Sequence, residues 1–305
     1  MLATGVAAEI FSLTNSGQIM SLGCTTFSRT SSRNAGEARS RRGRFGKLTV
    51  EFSGMRRQRY TSRLNSQSFL LIDISNSFTK FAVSSRERLG RVSRIATQNL
   101  DARTFARFRG AKVVLSSVVP DKARLVRKTF EQVVNVSARV KLGVGIDYPK
   151  PLTIGADRLA NAVSATAIFG APVVVVDFGT AVTFDIISPA KTYVGGVIAP
   201  GLEAMTDYLF QRTALLPKIK PAEPGSVIGK STRAAMNAGA VFGYRGLVKQ
   251  ILTEIKRELG APKLRVVATG GYADLIARKL PEIEAVHPHL TLEGLRIIGT
   301  LNFPL

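Results

Sequence analysis

Two segments of this chain, Leu70–Val83 (LLIDISNSFTKFAV) and Val174–Ile187 (VVVDFGTAVTFDII), share one layout, with Asp73 and Asp177 at matching places 104 residues apart. Each starts as an apolar run of strand character, meets an aspartate, passes small and hydroxyl residues, and continues as an alternating apolar and polar run. That is the pattern of strand, tight turn, strand. A carboxylate closing a buried strand, followed by backbone amides and hydroxyls in a turn, suits a metal-bound phosphate. Its occurrence twice predicts two similar halves facing each other across one nucleotide.

Around the repeat the pattern from Ser68 onward is regular. Lys112–Val119 (KVVLSSVV) reads as a buried strand ahead of Pro120, with a helix from Asp121, and Val133–Val140 reads as a further strand. Gly143–Pro151 is a loop, and Gly155–Gly170 (GADRLANAVSATAIFG) places Leu159, Ala162, Val163, Ala167 and Ile168 at helical spacing. In the second half, Leu216–Gly229 is a loop, Ser231–Gly260 one or two helices, and Leu264–Thr269 a final core strand. Gly270–Gly271 then leads to a helix near Tyr272, an arrangement that brings backbone close to phosphate or adenosine. The expected division is 68–170 for the first half and 171–305 for the second.

Residues 1–67 differ. They are rich in Ser and Thr, carry the basic patches Arg39–Arg44 and Arg56–Arg59, and show no sustained period, so disorder is expected. Such acid-poor composition also suits a transit segment, and a start at Met55 is the favoured explanation. The net charge of +22 raises the question of nucleic acid, yet only +8 lies in this segment and +14 is spread over the other 238 residues. No nucleic-acid motif accompanies it, so no nucleic-acid partner is expected. Cys24 is the single cysteine, which excludes a disulfide framework and a thiolate zinc site. The best apolar stretch, Pro172–Val176, runs into Asp177, so no membrane span and a cytoplasmic location are expected.

These motifs together resemble the type III pantothenate kinases, a branch of the actin-like superfamily that includes acetate and sugar kinases. The resemblance spans Phe69–Leu305 and rests on Asp73–Lys80, GADR at Gly155–Arg158, DFGT at Asp177–Thr180, GGVIAPGL at Gly195–Leu202, TRAAMNAG at Thr232–Gly239, TGG at Thr269–Gly271, and LTLEGLRI at Leu290–Ile297. It implies an α/β fold of two ribonuclease-H-like halves with mixed sheets flanked by helices. The implied activity is transfer of the ATP γ-phosphoryl group to the primary hydroxyl of pantothenate, usually by a homodimer with its active site near the subunit interface. A catalytically weak or inactive relative that binds ligand or regulates is the alternative, as is a kinase for another hydroxyl substrate.

Carried over position by position, the resemblance makes Asp73, Ile74, Ser75, Asn76, Ser77, Phe78, Thr79 and Lys80 the first phosphate loop, with Asp73 orienting Mg²⁺, and makes Thr180 a contact to ATP. It makes Asp157 the catalytic base, Tyr148, Gly155, Ala156, Asp157, Arg158 and Thr232 the pantothenate site, and Asp177 the ligand of K⁺ or NH₄⁺. As structure alone, Asp157 would be a helix-start carboxylate whose pKa the helix lowers. Arg158 would be a surface ion pair, Asp177 a turn cap and Thr232 a helix N-cap. Ser75 stands where the family pattern has Gly, a substitution costing about 1 kcal/mol if positive φ is required there.

Overall fold

The computed structural model describes residues 68–304. The expectations for residues 1–67, of disorder, a transit segment or a start at Met55, lie outside the described residues. The first sheet is built from β1 (Phe69–Ile74), β2 (Phe78–Ser84), β3 (Ser93–Ala96) and β4 (Lys112–Ser117), followed by α1 (Pro120–Thr129) and β5 (Val133–Asn135). Its order is β3-β2-β1-β4-β5, with β1 antiparallel to β2 and parallel to β4. The expected strand Val133–Val140 stops at Asn135, because the chain turns at Ser137, whose carbonyl accepts the Val140 N–H at 3.3 Å.

The second sheet repeats that order. After β6 (Gly145–Ile146) and α2 (Ala156–Phe169) come β7 (Val173–Phe178), β8 (Ala181–Ile187), β9 (Thr192–Pro200), α3 (Leu202–Arg212), α4 (Thr232–Glu258), β10 (Arg265–Gly270), α5 (Ala273–Ala277), β11 (Ala285–Val286) and α6 (Leu290–Asn302). Its order, β11-β10-β7-β8-β9-β6, places β9-β8-β7-β10-β11 in the succession of the first sheet and adds β6 at one edge. The two-halved mixed α/β architecture expected from the repeated hairpin is therefore present. The one or two helices expected over 231–260 are the single helix α4 (Thr232–Glu258), opened by Ser231 Oγ accepting the Ala234 N–H at 3.2 Å.

Near-continuous apolar strands follow from burial on both sheet faces. One face of β1, with Leu70, Ile72 and Ile74, packs under α1 and residues 102–108; one face of β7, with Val174 and Val176, packs under α4 and α5. The opposite faces, with Phe69, Leu71, Val173 and Val175, share a core with α2 and α6. Those two helices approach closely at Gly294, where a Cβ would stand 2.0 Å from the Ala160 carbonyl oxygen. No described helix is long and apolar enough to cross a membrane.

Candidate active site

Both repeated hairpins form, and their turns meet. Asp73 pairs across the strands with Lys80, and the Ser75 N–H closes the first turn on the Phe78 carbonyl at 3.0 Å. Asp177 pairs with Thr183, and the Gly179 N–H closes the second turn on the Ala181 carbonyl at 3.1 Å. Ser77 Oγ and Thr180 Oγ1, one from each turn, lie 3.2 Å apart. Ser75 has no positive φ, so the conditional cost of replacing glycine does not arise. The first turn is further tied down by Thr97, whose hydroxyl donates to the Ser75 carbonyl at 2.7 Å.

Three carboxylates converge below these turns. Asp73 is buried and accepts from Ser116 Oγ at 3.0 Å. Asp157, in the first turn of α2, accepts the Arg158 N–H at 2.9 Å. Asp177 Oδ2 accepts from Asn161 Nδ2 at 3.1 Å, and Asn161 Oδ1 accepts from Thr291 Oγ1 at 2.8 Å. Burial pushes the Asp73 carboxyl up to about 7, with the Asp157 charge adding and Lys80 opposing. Burial also raises Asp177, helped by Asp157 and opposed by the Asn161 hydrogen bond.

The expectation that the helix start lowers Asp157 is overturned. Burial outweighs the Arg158 backbone hydrogen bond and the Arg158 charge, and the Asp157 carboxyl is raised. The shifts have a consequence for stability. A carboxyl raised in the folded state binds more protons there than in the unfolded chain, so its stabilisation is full below the unfolded pKa and lost as pH rises through the folded one. For Asp73 that window runs from 3.8 to about 7. Metal-free protein is expected to lose thermal stability as pH rises from 3.8 to about 7, and Asp73→Asn to flatten that slope, as followed by unfolding temperature. An equally steep slope in the variant would refute the assignment.

Beside Asp157 lies a second polar cluster. Arg158 Nε donates to Asp185 Oδ1 at 2.6 Å, and the same oxygen accepts from Tyr193 OH at 3.1 Å. Thr183 Oγ1 donates to Asp185 Oδ2 at 3.3 Å. The Tyr148 ring meets Tyr193 edge-on, with centroids 6.2 Å apart, which brings Tyr148 to the Arg158 side. Gly155 caps α2 without a side chain, and a Cβ there would stand 2.5 Å from Asp157 Oδ1.

The other expected positions divide. Asn76, Ser77 and Thr180 are exposed at the turns and Lys80 is half-buried. The Ile74 side chain goes into the core, Thr79 is buried 3.1 Å from the Thr97 hydroxyl, and the Phe78 ring is covered by the Arg94 guanidinium. Ala156 opens α2 half-buried. Thr232 is exposed at the start of α4, where Ser231 takes the N-cap, and no hydrogen bond joins it to the Asp157 cluster.

Ser116, Asn161, Asp185, Tyr193 and Thr291 were missed in the sequence reading. Their signal was a polar group within an apolar strand or helix face; Asn161 also follows Asp157 by one helical turn, at i+4.

The donor set fits cations. The Asp157 charge acts on both Asp73 and Asp177, and Lys80 opposes both. Among the described residues no three His, Cys, Asp or Glu side chains are arranged to enclose a metal. A divalent ion would therefore rest on one carboxylate plus water and phosphate oxygens, the habit of Mg²⁺.

A family model of type III pantothenate kinases matches residues 69–254. A type III pantothenate kinase from Akkermansia muciniphila is 53% identical over 242 residues, covering 77% of this chain and 99% of that relative. One from Methylacidiphilum infernorum is 42% identical over 238 residues, covering 76% and 88%. A solved structure from Campylobacter jejuni, described as a Baf family transcriptional activator, has a TM-score of 0.54 at 21% identity, covering 76% of this chain and 97% of that one. Another from Sinorhizobium meliloti, described as a 2-dehydro-3-deoxygalactonokinase, has a TM-score of 0.51 at 12% identity, covering 78% and 97%. At such identities the two structures speak for the two-halved fold alone.

Proposed function

The chain belongs to the family of type III pantothenate kinases, and on that premise we propose how its geometry serves ATP-dependent phosphorylation of pantothenate, the first step of coenzyme A synthesis. The observation that carries the reading is the meeting of Ser77 and Thr180 at 3.2 Å above three mutually interacting aspartates. Phosphoryl transfer asks the protein mainly to hold the phosphates, offset their charge and orient the hydroxyl.

In this reading the turn residues Asn76, Ser77 and Thr180, with Lys80, hold phosphate oxygens of ATP. Asp157 accepts the proton of the pantothenate hydroxyl as its oxygen bonds to the γ-phosphorus and the bond to the bridging oxygen of ADP breaks. A carboxyl raised by burial is a better base than one at the usual value. Mg²⁺ at Asp73 and K⁺ or NH₄⁺ at Asp177 supply positive charge to the phosphates when bound. Arg158 and Tyr148 receive the far end of pantothenate, with Arg158 on its carboxylate.

A homodimer is part of the proposal. Between α3 and α4 an apolar groove of about 690 Å³ is lined by Met205, Tyr208, Leu209, Ala235 and Met236, and Tyr208 is 61% exposed. A second copy of this chain seated there would bury that surface and bring Thr232, one turn from Met236, to the interface. A reducing, ATP-containing compartment, the cytoplasm, suits a chain with one cysteine.

Purified protein is expected to form phosphopantothenate from ATP and pantothenate with Mg²⁺ and KCl, and to lose most turnover when NaCl replaces KCl or when Mg²⁺ is chelated. Sedimentation in the same buffer is expected to give a two-chain species. Full turnover without Mg²⁺ and K⁺ would remove both ion assignments, and a monomer active at all concentrations would remove the dimer. The non-catalytic alternative draws no support from Ser75, which adopts an ordinary backbone conformation.

A further inference from the structure

Arg158 is held more firmly than a substrate-binding arginine at a surface needs to be. Its Nε edge is occupied by Asp185, which is fully buried on β8, and Asp185 is itself held by Tyr193, also fully buried, and by Thr183. Arg158 Nη2 is buried and has no acceptor. The space around it depends on Gly196, where a Cβ would stand 2.7 Å from Nη2 and 1.8 Å from the Phe184 carbonyl oxygen. The GGVIAPGL motif thus has a physical reason at its second glycine.

A buried guanidinium N–H without a partner is costly, and a bound anion removes that cost. Arginine also carries rotamer freedom that binding would otherwise have to remove; a carboxylate already clamping one edge removes it beforehand. We propose that Asp185 is a positioning residue for the acceptor substrate: it clamps the Nε edge of Arg158 so that the remaining guanidinium N–H groups meet the carboxylate of pantothenate, making the site prefer the anion over a neutral molecule of the same shape. The proposal rests on the reading of Arg158 as the carboxylate contact. It extends that reading to a four-residue device, Arg158, Asp185, Tyr193 and Thr183, that sets substrate charge preference.

The test compares calorimetric binding of pantothenate and of pantothenol, in which an alcohol replaces the carboxylate, to the full chain. In Asp185→Asn the ratio of the two dissociation constants is expected to fall at least about tenfold toward unity, and in the gentler Tyr193→Phe about threefold. Arg158→Ala is expected to lose the preference at least as far, with nothing further lost on adding Asp185→Asn, since the two act as one unit. With pantothenate as substrate, KM in Asp185→Asn is expected to rise more than kcat falls. A merely structural Asp185 would weaken both ligands equally, and that result overturns the proposal, as does an acid preference kept or increased in Asp185→Asn. If Arg158→Ala itself keeps the preference, the underlying reading of Arg158 falls. If Asp185→Asn does not fold, an undiminished preference in Tyr193→Phe overturns the proposal.

Discussion

Asp157→Asn is expected to lower kcat for pantothenate phosphorylation by about 10²- to 10⁴-fold, the range that a positioned general base contributes. Asparagine keeps the size of the side chain and can still accept the Arg158 N–H that holds the carboxylate now. What it cannot do is take the substrate proton. The loss should therefore fall on kcat rather than on KM for either substrate, because positioning survives while the transition-state interaction goes. Steady-state kinetics on the variant, with nucleotide binding measured separately, make the check. A kcat within about threefold of the parent would show that the proton leaves by another route, and the assignment of Asp157 as base would fail.

Gly270→Ala is expected to damage both stability and turnover. Gly270 has φ of +97°, and a Cβ there would stand 2.6 Å from Asp177 Oδ1 and from the backbone carbon and nitrogen of Phe178. Left-handed backbone costs a non-glycine residue roughly 1–2 kcal/mol, and forcing a methyl between two paired strands roughly 1–3 more. In a domain of this size those sums lower the unfolding temperature by about 5–15 °C. Because Asp177 must also move away from β10, kcat/KM is expected to fall at least about tenfold. Gly271→Ala is the internal comparison for stability, since a Cβ there meets nothing within 4 Å. Equal unfolding temperatures for the two variants would contradict the packing argument.

The Gly270 case also shows where sequence reading had its limits. A Gly pair after a strand is common and says little alone; its force comes from β10 pairing with β7 in the register that sets Gly270 against Phe178, beside Asp177. Asp73, Asp157, Asp177 and Thr180, which the fold brings to one cluster, stood out because each belongs to a contiguous motif. Asn161, Thr291, Asp185 and Tyr193 were not, because their partners lie 16, 130, 27 and 8 residues away and come together through helix and strand packing. The GADR motif singled out Arg158, but not the hold of Asp185 on its Nε edge. The sign of the Asp157 shift was misjudged for a related reason. The helix start is a local property, readable from the sequence, whereas burial depends on everything packed around the side chain.

The sequence by itself determined the doubled hairpin, and with it a mixed α/β fold in two halves, because alternation and apolar runs are local consequences of strands with buried faces. It also determined the three aspartates, since a carboxylate at a strand end or helix start is recognisable in place. Tertiary structure alone decided that the two turns touch at Ser77 and Thr180, that burial raises all three carboxyls with the Asp157 charge adding at Asp73 and Asp177, and that Arg158 is clamped. The reason is physical: electrostatic coupling and hydrogen bonding depend on distance in space and on exclusion of water. A chain sets these only after its sheets have paired and its central helices have packed between them.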